Sequence, residues 1–172
     1  MSKATRFGAT HGATHGAAAI LAGLFLMIAA GAQTVRAENA TPYPGTQVIK
    51  TTHGYTDLIA RLDAAVKANK MGLVTRASAT MGAKSLGKTI PGNMVIGVYN
   101  PKFAIRMLDA SVAAGIEAPL RFYITENSDK TATLTYRKPT AVFAPYESDK
   151  LNTMAIELDV IFARIAATAT GG

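Results

Sequence analysis

Three places in the 172-residue chain carry residue types at spacings that do chemistry. The stretch GAKSLGKT, Gly82 to Thr89, matches G-x-x-x-x-G-K-[ST], the phosphate loop in which backbone amides cradle phosphates and a lysine reaches the outer ones. Asn100-Pro101-Lys102 stands where an apolar run gives way to an amphipathic one. There Asn100 suits a helix N-cap, Pro101 suits the first turn, and the cap amides beside Lys102 would form an anion-binding corner. Polar-tipped Tyr99, Arg106, Arg121, Tyr123 and Tyr136 could line a cleft for an acidic or aromatic ligand, and His53 is the one histidine after residue 37.

Each candidate has a plainer reading. A phosphate loop needs a helix that starts at its Lys-Thr, so that the helix N-terminus faces the phosphates. Here Thr89 is followed by Ile90, Pro91, Gly92 and the strand-like MVIGVYN, so nucleotide hydrolysis is rejected and Gly82 to Lys88 reads as a short helical turn or loop between strands. A serine-type triad needs a nucleophile and a carboxylate around its histidine. No nucleophile-elbow pattern accompanies His53, which reads equally as a turn or surface residue. With no cysteine, thiolate metal sites, disulfides and cysteine nucleophiles are excluded, and one histidine is too few for a tight transition-metal site. We therefore expect no metal, no cofactor and no catalytic set. Met71, Met81, Met94, Met107 and Met154 read mainly as packing residues.

These residues need elements to position them, and the first 37 residues supply none. Lys3 and Arg6 precede the apolar GAAAILAGLFLMIAAGA (Gly16 to Ala32), and Val35 and Ala37 stand at the small-residue positions of a cleavage site. This is the pattern of a signal peptide over 1–37, implying a periplasmic or secreted protein cut near Ala37. Removing it takes Lys3, Arg6 and Arg36 from the +7 chain and leaves 15 basic against 11 acidic residues, or +4. The charges are scattered, without the basic stripe and interleaved aromatics of a nucleic-acid binder. Residues 38–45 read as a loose linker.

From residue 46 the chain forms one α+β domain. TQVIKTTH reads as a strand, and Leu58, Ile59, Leu62, Ala65 and Val66 mark one face of a helix over 55–70, with Thr56 as N-cap and Asp57 in its first turn. LVTRAS and MVIGVYN are strands. A helix from Pro101 buries Phe103, Ala104, Met107, Leu108 and Val112 and ends at Gly115. PLRFYITE and TATLTYRK alternate about NSDK as a hairpin, and a loop through Pro139 and Pro145 leads to a helix over 150–167 with the stripe Leu151, Met154, Ala155, Leu158, Phe162 and Ile165. The order β-α-β, β-α-β-β-α suggests two similar halves. It predicts a compact two-layer domain, a mostly antiparallel sheet with helices on one face.

The ordered set Gly82-Ala83, Gly87, Pro91, MVIGV and Asn100-Pro101-Lys102 resembles the bacterial family known as domain of unknown function 302. Met107, APLRFYITE, LTYRKP, His53 and Ala60-Arg61-Leu62 extend the resemblance over about 48–146. It implies a compact α+β domain of two similar halves and no known activity. Ser78-Ala79 stands where family members often have Asp-His, and Gly54 where Ser is usual, so no metal or acid–base role carries over. The expectation is a non-catalytic module binding a small molecule or an envelope protein, with His53, Asn100, Pro101, Lys102, Arg106, Arg121 and Tyr136 as candidate ligand contacts. The alternatives are an enzyme using Lys102 with Tyr136 or His53, and a structural homo-oligomer, a homodimer in its simplest form.

Overall fold

A computed structural model describes residues 43–171. The expected signal peptide and most of the 38–45 linker lie outside them. Tyr43 to Gly45, the end of that linker, form a turn tied to the domain: the Thr46 amide donates to the Tyr43 carbonyl at 3.2 Å and the Lys138 amide to the Gly45 carbonyl at 2.8 Å.

The elements run β1 (Thr46–Gly54), α1 (Tyr55–Ala68), β2 (Gly72–Ala77), α2 (Ala79–Ser85), β3 (Asn93–Tyr99), α3 (Pro101–Ala110), β4 (Leu120–Glu126), β5 (Thr131–Arg137), α4 (Pro139–Phe143) and α5 (Asp149–Thr170). Short 3₁₀ turns cover 113–117 and 144–146. The strands form one sheet in the order β1-β5-β4-β3-β2, with all four pairings antiparallel. It is an α+β domain with an antiparallel sheet. Both halves read strand-helix-strand along the chain but are wired differently in space. The β1-α1-β2 unit supplies the two edges, whereas α3 joins the adjacent strands β3 and β4.

Alternation along the strands sends Ile96, Phe122, Ile124, Leu134 and Tyr136 to one face, where α1, α3 and α5 cover them. All six residues of the expected α5 stripe are buried. Phe162 stacks on Phe122, with ring centroids 4.8 Å apart and planes 12° apart, and Tyr136 tilts against both rings. The Tyr136 phenol is pushed above its ordinary value, first by burial and then by the nearby Asp159 charge.

Four local expectations are corrected. α1 starts from Gly54 with no side-chain cap, because the strand runs directly into the helix and Thr56 already lies inside it. α3 stops at Ala110, so Val112 lies beyond it and is 79% exposed, and within the helix Leu108 is 47% exposed while Ala104 and Met107 are buried. The expected loop through Pro139 is the short helix α4: proline at a first helical position needs no amide, and burial of Val142 and Phe143 anchors the turn. The turn at Gly82 begins three residues earlier, as α2, where the Ser78 hydroxyl accepts from the Met81 amide.

Candidate functional site

GAKSLGKT has the opposite polarity to a phosphate loop. α2 ends within it: the Gly87 amide donates to Lys84 and the Lys88 amide to Ala83, with Gly87 at φ +69°. This pair of bonds around a left-handed glycine is the Schellman closure of a helix C-terminus. The segment therefore offers phosphate a carbonyl end with partial negative charge, which repels it. The chain then bends through Gly92, where an added Cβ would lie 2.6 Å from the Tyr55 ring.

The start of α3 is built as the sequence reading expects and is closed as an anion site. Asn100 caps it, its Oδ1 accepting from the Lys102 amide at 2.9 Å, and the amides of Phe103 and Ala104 both donate to the Asn100 carbonyl. Pro101 has no amide, so none of the first four helical amides points at solvent unpaired. The Asn100 amide group also donates to the Lys70 carbonyl at 2.9 Å, tying β3 to the left-handed residue that follows α1. Arg106 is engaged by both oxygens of Glu157, at 2.7 Å each, which raises the guanidinium further and depresses the Glu157 carboxyl. The crevice beneath, lined by Met71, Tyr99, Phe103, Met107 and Met154, encloses about 30 Å³. That is room for a water or two and no metabolite.

His53 sits at the other end of the sheet, beside the β4–β5 turn, with Nδ1 3.2 Å from Asp57 Oδ2. Lys102 follows the end of β3 that pairs with the start of β4, so about 20 Å of strand separates the two. Tyr136 packs in the core, tilted against Phe122 and Phe162. The residues named for acid–base chemistry are not brought together.

The remaining candidate, Arg121, lies on the sheet face that α1, α3 and α5 leave open. Because Phe122 points into the helix layer, its neighbours Arg121 and Tyr123 point away from it. The register places Phe122 opposite Tyr136 and Thr46 opposite Arg137, so Arg121 and Arg137 face each other across β4 and β5. In the next row Val95, Tyr123, Thr135 and Val48 are neighbours. Apart from Val48, the residues of these two rows line a cavity of about 250 Å³ together with Tyr43, Leu120, Tyr136 and Val142.

Two features distinguish this cavity. The hydroxyls of Thr46 and Thr135 are buried in its wall with no hydrogen-bond partner among the described residues. No Asp or Glu lines it, and neither arginine has a carboxylate partner among the described residues. Beyond the cavity, the space over Gly97 is filled by Thr75 and Pro119: a Cβ there would lie 2.1 Å from Thr75 Oγ1 and 2.8 Å from Pro119 Cγ. Arg137 is held over the Tyr43 ring, 5.7 Å from its centroid, and donates to the Ala141 carbonyl at 3.1 Å. Tyr123 takes a hydrogen bond from the Asn93 side chain. The sequence reading named Arg121 and Tyr123 but missed Arg137, Thr135, Thr46 and Tyr43. Folding the hairpin about NSDK alone would have set Tyr136 opposite Arg121; the observed register, with Glu126 opposite Ala132, is one residue longer and sets Arg137 there.

Comparison with known proteins agrees with this architecture. The model of the family described as "Domain of unknown function DUF302" matches residues 47–169, beyond the expected stretch and through most of α5. The crystal structure of the uncharacterized conserved protein DUF302 from Bacillus stearothermophilus is similar in fold, with a TM-score of 0.64 at 20% identity, covering 75% of this chain and 98% of that one. No curated protein matches the chain.

Proposed function

The chain belongs to the DUF302 family, and we propose that within it this protein is an exported, non-catalytic module that binds a small ligand on the open face of its sheet. The observation that carries the reading is the cavity of about 250 Å³ on the open sheet face, lined by Tyr123, Thr135 and two arginines and by no Asp or Glu. Export rests on the sequence of residues 1–37. The non-catalytic reading is supported by the separation of His53 from Lys102 and by the core position of Tyr136.

The test is a thermal-shift screen of metabolites against the purified mature chain and a Thr135→Met variant, which fills the cavity. Compounds that stabilise the first and not the second support the reading; equal shifts in both, or none in either, refute it. N-terminal sequencing of the mature protein checks export, and an intact Met1 would overturn it.

A second reading, pairing of two copies through the helix layer, is favoured by Ile105, Val112 and Ile116, which are 62%, 79% and 82% exposed along α3 and the turn after it. Light scattering on the wild type and Val112→Asp separates the two: a dimer that the aspartate splits supports pairing, and a monomer in both dismisses it.

A further inference from the structure

We propose that the ligand is a small dianion, carrying a phosphate monoester or two adjacent carboxylates, whose oxygens sit between Arg121 and Arg137. This rests on the reading of the open-face cavity as a ligand site.

The positions of the two arginines on the sheet are the reason. Register sets Arg121 and Arg137 side by side on neighbouring strands, and alternation turns both to the open face. Directly opposed residues in an antiparallel pair have Cβ atoms roughly 5 Å apart, and like charges there destabilise the sheet. Of the four other described arginines three are neutralised at close range, Arg61 2.9 Å from Asp57, Arg76 2.6 Å from Asp63 and Arg106 2.7 Å from Glu157, and the fourth, Arg164, is exposed on α5. The cavity offers its two arginines no acid. One negative charge would leave one guanidinium unanswered, and two charges within one small group answer both. Guanidinium forks also match the paired oxygens of phosphate and carboxylate.

The surroundings favour an oxyanion over a neutral polar ligand. Arg137 is aimed before binding by the Tyr43 ring and the Ala141 carbonyl, so less rotamer freedom is lost on contact. The volume of about 250 Å³ lies below that of pockets for drug-sized compounds. A metabolite-sized anion fits it.

Calorimetry on the purified mature chain with phenyl phosphate, phthalate and benzoate tests the proposal. One or both dianions should bind about 10-fold or more tightly than benzoate, and the gap should shrink as salt rises. Which of the two dianions binds distinguishes phosphate from paired carboxylates. Arg121→Gln and Arg137→Gln should each lower dianion affinity about 10-fold, while Arg121→Lys, which keeps the charge and loses the fork, falls between. Without ligand, Arg121→Gln should melt no lower than wild type, because it relieves the repulsion. Benzoate binding as tightly as the dianions, or glutamine variants binding them unchanged, overturns the dianion and leaves the cavity reading standing. No binding of any probe, with Thr135→Met indistinguishable from wild type in the metabolite screen, overturns both.

Discussion

Asn100→Ala tests whether the Asn-Pro-Lys turn holds the fold or serves a ligand. The side chain makes two hydrogen bonds, one from the Lys102 amide and one to the Lys70 carbonyl, both at 2.9 Å. Losing an N-cap of this kind costs about 1 kcal/mol. The second bond adds up to about 1 kcal/mol, less where water replaces it, and both bonds are at the surface. The total is about 1–2 kcal/mol, or about 4–8 °C in melting temperature for a domain near 130 residues. Asn100→Asp keeps the acceptor for Lys102 and loses the donor to Lys70, so it should show about half the drop. Circular dichroism melts with matched urea titrations measure both variants. A melt of Asn100→Ala within about 1 °C of wild type, or an aspartate variant as damaged as the alanine, would refute this two-bond account.

Three further outcomes follow from the packing and the charges. Phe162→Ala removes a ring stacked 4.8 Å from Phe122 and fully buried; urea unfolding should show a loss of about 3–5 kcal/mol. Gly97→Ala should lower the melting temperature, because its Cβ would meet Thr75 Oγ1 at 2.1 Å, and adding Thr75→Ala should restore part of the loss. Glu126 is held below its ordinary value of 4.5, first by the Gly92 amide and then by Lys130. A depressed carboxyl contributes stability above its unfolded pKa and loses it as pH falls through the folded one. The melting temperature should therefore drop below about pH 4.5, less steeply in Glu126→Gln, as scanning calorimetry across pH 3–7 will show.

How much of this was legible in the sequence depended on whether the signal was local. The α5 stripe repeats at helical spacing and is buried on one large surface, so all six of its residues were read correctly. The same periodicity overran α3, because nothing in the pattern marks where a helix ends: Val112 continues the stripe but lies beyond Ala110, and Leu108, still inside the helix, is half-exposed. Pro139 was read as a breaker although it begins a helix, since what anchors α4 is the burial of Val142 and Phe143 against other elements. At the candidate site, Asn100 and Arg121 could be named from type and position. That Asn100 spends its side chain on Lys70 depends on a partner 30 residues away. That Arg121 has a second arginine beside it depends on hairpin register, which only the paired strands display.

The strand order has a consequence for how the molecule is made. A chain emerging N-terminus first produces both borders of the sheet, β1 and β2, before any of its middle exists. Those two strands do not pair with each other, and β1 waits for β5, some 80 residues later in synthesis. β2 finds its partner once β3 emerges, but β1 stays without one until β5 is made. For a protein that we read as threaded through a membrane before it folds, late closure keeps the chain in the form that such a pore accepts.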